Sequence, residues 1–447
     1  MTLRPSLLRA LVNPHLSVGD RAELCCELAK EFEHKGEYEE AREVLSGLWP
    51  RMDQRPRVKG LEPIIAAEVL LRVGVLIGWI GSSNQLPDAQ EKAKDYISES
   101  LAIFESRKYQ KKIAEAQTEL ALCYLRIGEY NNASDVLELA LERVTTDSEL
   151  RAKVILRSGI VKRHARPLGE ALEFLTNNEP LFEKITSQTL KGCYHQTLGD
   201  VLKDLCETDR PGEYLDRAFV EYAAASYHLE QAEHRRYLAN VENNLGFLYL
   251  KVNYYKEAHE HLNRARRIFV SLKDKVCLAQ CDETRARVFL KEKRYAEAEK
   301  AARASVRSLE NSNRPSLLAE ALKRHGTALA RLGSYNAALT AFRRAIDLCL
   351  GVDCPNRAAD ALLTLYEELG ERLAIKGAIT TSGRPLDEEV FLLEHDLIKR
   401  ALEDAQGRVT FAARALGMSY QRLTHKLKTE HKDLLQKRTP VRRRSRK

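Results

Sequence analysis

The chain has no uncharged apolar run approaching the ~20 residues needed to span a bilayer. The longest, Val73 to Ile80 with its neighbouring glycines, falls well short. Nor does the opening stretch, MTLRPSLLRALVNPHL, hold the continuous apolar core of a secretory signal. These two absences lead us to expect a cytoplasmic protein with no membrane partner. Catalytic signatures are lacking too. There is no GxxxxGK(S/T) phosphate loop, His259 to His261 reads HEH and not HExxH, and no GxSxG elbow or Cys-His signature stands out. The nine cysteines show no CxxC-type spacing; Cys25 and Cys26, like Cys277 and Cys281, sit inside helical patterns where buried free thiols are expected. Recognition, not an enzyme's chemistry, is the expectation, with no metal and no cofactor.

What is present is a long, ordinary globular composition with one asymmetry. Hydrophobic residues make up 44% of the 447 residues and charged residues 30%, too apolar for a disordered chain. The net charge is +8, and Glu388 to Lys447 alone carry 15 Lys and Arg against 8 Asp and Glu, which leaves +1 for everything before them. Charge confined to one end suits a polyanion partner for that segment, although the terminal KRTPVRRRSRK also reads as a solvated tail.

The rest of the chain repeats itself. GEYEEA at Gly36 returns as GEYNNA at Gly128, NYYKEA at Asn253, KRYAEA at Lys293 and GSYNAA at Gly333. Each has Tyr followed three residues later by Ala: Tyr38 and Ala41, Tyr130 and Ala133, Tyr255 and Ala258, Tyr295 and Ala298, Tyr335 and Ala338. Nine residues before each Tyr stands a small residue, Ala29, Ala121, Gly246, Ala286 or Gly326. The frame also fits Gly159 with Leu168 and Ala171 and, given longer loops, Gly199 with Leu215 and Ala218, and Gly74 with Gln90 and Ala93, for about eight units. Small residues are needed where two helices cross closely.

This pattern resembles the tetratricopeptide repeat; the stretch NVENNLGFLYLKVNYYKEA carries Leu245, Gly246, Tyr249, Tyr255 and Ala258 at that family's spacings. The period is nearer 40 residues than the usual 34, the family's Trp position is mostly empty and closing prolines are rare, departures that longer helices accommodate. The resemblance implies an all-α solenoid of stacked helix pairs with a groove lined by the first helix of each pair. Its groove positions fall on Gln196, Asp200, Lys203, Asn240, Asn243, Asn244, Phe247, Lys251, Lys323 and Arg331, and imply a protein or peptide partner. Asn243 and Asn244 suit an extended ligand, since an amide offers donor and acceptor together.

The expected organisation is a repeat array over 1–355, a capping helix over 356–376, a linker over 377–387, a small domain over 388–436 and a disordered basic tail over 437–447. The capping helix should bury Ala359, Leu362, Leu363, Tyr366, Leu369 and Leu373. In the small domain a helix with Phe391, Ile398, Ala401, Leu402 and Ala405 on one face should end at Gly407. Thr410 should cap a short second helix; Gly417 should close it and Ser419 cap a third, buried through Leu423 and Leu427.

Gly407, Val409, Ala412, Ala413, Leu416, Gly417, Ser419, Leu423, Lys426, Leu427 and Lys428 make this segment similar to the Fis-type helix-turn-helix found at the C-terminus of many bacterial activators. The resemblance implies double-stranded DNA as partner, with Ser419 and Tyr420 at base-reading positions and Thr410, Arg422, Thr424, His425, Lys426 and Lys428 also at the interface. That family often has Arg where this chain has Tyr420, so Gln421 is an alternative base reader, through adenine. The expected function is a bacterial transcriptional regulator, nucleoid-associated in the cytoplasm, whose array engages a protein or peptide. A homodimer and ligand control across a hinge near Gly383 are left open. The alternative is a scaffold or adaptor whose terminal module docks a partner.

Overall fold

The computed structural model describes residues 11, 15–84, 86, 88–145, 148–165, 167–206, 211–310, 312, 314–351, 355–373, 386–416 and 418–437. The expected hinge near Gly383, the helix-closing Gly417 and the basic tail beyond Lys437 lie outside them. Among the described residues the chain is helical with no strand, and it falls into two compact units, Met1–Cys277 and Leu278–Lys447.

The first unit holds the antiparallel pairs α1 (Val18–His34) and α2 (Tyr38–Val44), α3 (Pro63–Asn84) and α4 (Ala89–Ser106), and α5 (Gln110–Ile127) and α6 (Tyr130–Arg143). Next come α7 (Ser148–Ala165) and α8 (Leu168–Asn177), the short α9 (Glu179–Lys184), α10 (Gln188–Leu205) and α11 (Pro211–Gln231), and α12 (Arg235–Lys251) and α13 (Tyr255–Ser271). Helix α14 (Lys275–Lys291) crosses the division and precedes α15 (Tyr295–Leu309). The second unit continues with α16 (Pro315–Arg331), α17 (Tyr335–Gly351), α18 (Pro355–Leu373), α19 (Leu386–Asp404), α20 (Val409–Ala415), α21 (Tyr420–Thr429) and a 3-10 turn, Lys432–Lys437.

The repeated landmarks all do the same work. The small residue of the first helix faces the alanine of the second and the residue four positions beyond it. A β-carbon added at Gly159 would lie 2.5 Å from Leu175 Cδ2, at Gly246 2.6 Å from Leu262 Cγ, at Gly74 2.7 Å from Ile97 Cγ1 and at Gly326 2.9 Å from the Phe342 ring. The facing alanines Ala41, Ala93, Ala133, Ala171, Ala218, Ala258, Ala298 and Ala338 have no exposed surface. The turns are equally regular. Gly36, Gly128 and Gly333 take left-handed φ values of 72°, 90° and 82°, and Asn253 and Lys293 accept 62° and 61° in the same place. Each turn closes with an amide reaching back to the preceding helix, as in Glu37 N to Phe32 O at 3.0 Å and Arg294 N to Phe289 O at 2.9 Å. The repeated tyrosine is then the first residue of the second helix in α2, α6, α13, α15 and α17.

Two observations depart from the sequence expectations. Helix α3 is 22 residues long and apolar enough to cross a membrane by length and composition, more than the Val73 to Ile80 run suggested. It nonetheless carries Glu68 and Arg72, and 78% of its most apolar window is buried inside the unit. The capping helix α18 buries Ala359 and Leu362 as expected, but Leu365 is fully buried too, while Leu363 is only half-buried. The reason is that α18 has two covered faces. Leu365 packs with Leu339 and Phe342 of α17, whereas Tyr366 reaches Glu394 of α19.

The first unit also meets itself. Lys35 Nζ pairs with Glu233 at 2.7 Å, Thr189 Oγ1 donates to His34 O at 3.2 Å, and Arg236 Nη1 donates to Ser83 Oγ at 3.1 Å, so the first two pairs touch the fifth and sixth. His234 is buried at this contact, stacked on Tyr237 at 4.1 Å.

Two outcomes follow from this packing. Gly159→Val should lower stability by about 1–3 kcal/mol in urea unfolding, because the added methyls have no room beside Leu175. Burial holds the His234 imidazole down to about 3. Its folded value lies below the unfolded ~6.5, so its contribution is complete above that pH and is lost as pH falls towards 3. Thermal unfolding from pH 7 to pH 4 should show this loss, and His234→Gln should reduce it.

Candidate nucleic-acid interface and partner groove

Helices α19, α20 and α21 form a three-helix module around Leu397, Ile398, Ala401, Leu402, Val409, Ala412, Ala413, Leu416, Leu423 and Leu427, all buried. Gly407, at φ 76°, ends α19, and its amide donates to Leu402 O at 2.7 Å. The chain has then already reversed, so Arg408 occupies the cap position in extended conformation and α20 begins at Val409. Thr410, expected as the cap, is instead an exposed residue within the helix, because the cap position follows the reversal at Gly407 and not residue type. Ser419 does cap α21, accepting from Arg422 N at 3.2 Å.

Burying Leu423 and Leu427 turns the other faces of α21 outward. Ser419, Tyr420, Gln421, Arg422, His425 and Lys428 are exposed, with Tyr420 at 45%. Thr424 is half-buried, with Oγ1 lacking a partner among the described residues. Arg408 lies over the exposed Phe411 ring at 4.6 Å, extending the polar and basic surface onto α20.

Lys426 is the exception. It was expected along the phosphates, but its ammonium sits 2.8 Å from Glu394 Oε1 and 2.9 Å from Glu430 Oε2. Glu394 also accepts from Tyr366 Oη at 2.9 Å and lies 3.3 Å from His431 Nε2. Burial pushes the Glu394 carboxyl up, but His431, Lys426 and Tyr366 outweigh it and hold the group at about 2. Lys426 thus ties α21 to α19, beside the α18 ring of Tyr366. Next to it a cavity of about 120 Å³ is lined by Leu362, Tyr366, Met418 and Arg422, among others. Glu394, Glu430 and His431 come within 4.8 Å of one another, a spacing a cation could use, but Lys426 already supplies the positive charge there. Glu394 could have been noticed from sequence as an acid set into the apolar stripe of Phe391 and Ile398. Phe391 itself is 38% exposed and stacks on His431 at 4.6 Å.

The expected groove residues divide between the two units. In the first, Asp200 accepts from Asn244 Nδ2 at 2.9 Å and from Tyr222 Oη at 2.5 Å, and lies 3.3 Å from Arg163 Nη1. Lys203 Nζ donates to Asn244 Oδ1 at 3.2 Å. Lys203, Arg163 and the Tyr222 hydroxyl override burial and keep the Asp200 carboxyl below its usual range. Asn244 is therefore spent within the protein. Asn243 Oδ1 and Gln196 Oε1, by contrast, are buried atoms with no hydrogen-bond partner among the described residues. Asn240 is half-buried, and Lys251 lies over the Phe247 ring at 5.1 Å. In the second unit Lys323 is buried against Glu320 at 3.0 Å and Asp360, and Arg331 pairs with Glu368 at 2.5 Å. Both were expected to face a partner; Lys323 is instead buried and neutralised internally, while Arg331 stays exposed with its charge shared by Glu368.

Comparison with known proteins agrees with this architecture. Residues 392–429 match the model of the Fis family of bacterial regulatory proteins, and residues 114–143, spanning α5 and α6, match a tetratricopeptide repeat. No curated protein matches. A Rap protein complexed with Competence and Sporulation Factor aligns at 15% identity and TM-score 0.54, covering 86% of this chain and 99% of that one. A signal-transduction ATPase with a tetratricopeptide repeat sensor from Pyrococcus horikoshii aligns at 15% identity and TM-score 0.53, covering 83% of this chain and 54% of that one. The quorum sensor NprR from B. thuringiensis aligns at 13% identity and TM-score 0.50, covering 77% and 92%. At these identities the likeness is one of fold. The chain thus carries tetratricopeptide-type helix pairs and a Fis-family helix-turn-helix.

Removing the anchor should be costly. Glu394→Ala leaves Lys426 and Tyr366 without their buried acceptor, and should destabilise the second unit by about 3 kcal/mol in denaturant unfolding.

Proposed function

We propose that this protein is a bacterial transcriptional regulator that binds duplex DNA through α21 and engages a protein or peptide partner through its helix-pair array. The observation that carries the reading is the Ser419-capped helix within the Fis-family match, presenting Tyr420 and Gln421 at its exposed N-terminal turn. Laid in the major groove, that turn brings the Gln421 amide and the Tyr420 hydroxyl to base edges. Arg422, His425 and Lys428 then follow as phosphate contacts, without Lys426, which Glu394 retains. The basic excess after Glu388 supplies a sequence-independent attraction to the same polyanion. For the array, support comes from the partnerless amide atoms of Gln196 and Asn243. One protein of similar fold was solved in complex with Competence and Sporulation Factor, and another is a quorum sensor.

Selection of sites from a random duplex pool, with the full chain beside Tyr420→Ala/Gln421→Ala, tests the DNA reading. A defined motif that the double variant loses is the expected result. Arg422→Ala and Lys428→Ala should weaken binding to all sequences alike and each flatten the log-log salt dependence by about 0.9. Absence of binding to any duplex at low salt would overturn the proposal.

A further inference from the structure

The capping helix and the helix-turn-helix do not close completely on one another. Between α18, α19 and α21, all in the second unit, lies the cavity of about 120 Å³ beside Lys426. Leu362 of α18, Ile398 of α19 and Leu416 after α20 wall it with buried side chains, and Ala359 contributes only a methyl group from α18. Such an aliphatic chamber favours an apolar body the size of one small ring. An engineered void of ~150 Å³ with walls of the same kind stays dry and takes up benzene. Met418, in the turn before α21, completes the lining. Its thioether adapts to irregular shapes and makes favourable contacts with aromatic rings.

The polar groups on the lining differ in what they have left to offer. Glu394 already holds Lys426 at 2.8 Å, accepts from Tyr366 Oη at 2.9 Å and lies 3.3 Å from His431 Nε2. Lys426 is shared between Glu394 and Glu430, so its charge is engaged as well. Arg422, in the first turn of α21, is exposed, and among the described residues its guanidinium makes no hydrogen bond or ion pair. An apolar chamber with one uncommitted cation at its rim matches a molecule with one ring and one anionic head.

We propose that this cavity is a binding site for a small aromatic carboxylate, its ring against Leu362, Ile398 and Met418 and its carboxylate on Arg422. Guanidinium and carboxylate meet as planar forks, which makes the pairing directional as well as strong. Arg422 is also one of the phosphate contacts assigned to α21 above, so ligand and DNA compete for one side chain. That competition rests on the reading of α21 as a DNA-binding helix; occupancy of the cavity does not.

The test uses the full chain, with benzoate and phenylacetate as probes and the neutral benzyl alcohol and phenylethanol beside them, titrated by calorimetry. The acids should bind saturably and about tenfold more tightly than the alcohols. Arg422→Gln, a change at an exposed side chain, should bring the acids down to the level of the alcohols. Ala359→Leu, which fills the chamber, should abolish binding of every probe; if it melts well below wild type, the Arg422→Gln comparison alone decides. Absence of saturable binding, acids that bind no better than alcohols, an acid preference that survives Arg422→Gln, or binding that survives in a folded Ala359→Leu would each overturn the site. At matched ionic strength, saturating benzoate should flatten the log-log salt dependence of duplex binding by about 0.9 in wild type and leave Ala359→Leu unchanged. Acids that bind without moving that slope would overturn the competition and leave the DNA reading standing. Absence of duplex binding altogether would overturn the DNA reading and leave the site standing.

Discussion

Two helices of a pair approach so closely that one of them can offer no more than a methyl group at the crossing, and the array depends on this. The small residue of the first helix meets an alanine of the second and the large apolar side chain one turn on, as Gly159 meets Leu175 and Gly246 meets Leu262. With that distance set, the turn has little freedom. It must reverse within a few residues through a left-handed backbone, and the chain uses Gly36, Gly128 and Gly333 there, or accepts Asn253 and Lys293. The outward faces of each pair are then free to stack on neighbours or to carry charge.

Charge on the inner face is mostly paired. Arg72 between Glu33 and Glu115 shows how acids offset the desolvation cost of a buried cation. Within the same unit Arg126 lies over the Trp79 ring, 4.0 Å from its centroid. The helix-turn-helix does the same: Lys426, basic and close to the exposed face, is spent on Glu394 and Glu430 to hold α21 in place.

The features legible in the sequence were those that recur at fixed spacing. The Tyr and Ala landmarks and the small residue nine positions earlier located the helix pairs, because the crossing imposes residue size directly. Ser419, Leu423 and Leu427 located α21 for a similar reason, one accepting an orphan amide and two filling the core. Features that depend on pairing between distant segments were not legible. That Lys426 is retained follows from Glu394, 32 residues earlier, and from Tyr366 on α18. Lys323 and Arg331 looked like groove cations until Asp360 and Glu368 of α18 came against them. Thr410 was displaced as a cap by the backbone reversal at Gly407, a conformational fact that residue type does not carry.

Leu365 and Tyr366, adjacent on α18, both pack on the last helix pair, and the Tyr366 hydroxyl reaches beyond it to Glu394. Repeat arrays fray from their ends, since a terminal pair has a neighbour on one side only. Here the terminal pair is covered by a helix that also braces the helix-turn-helix, so the end of the array and that module share one support. Loss of order in the last helix pair would therefore loosen the hold of Tyr366 on Glu394, so order at that end of the array and order in the helix-turn-helix are tied to one another.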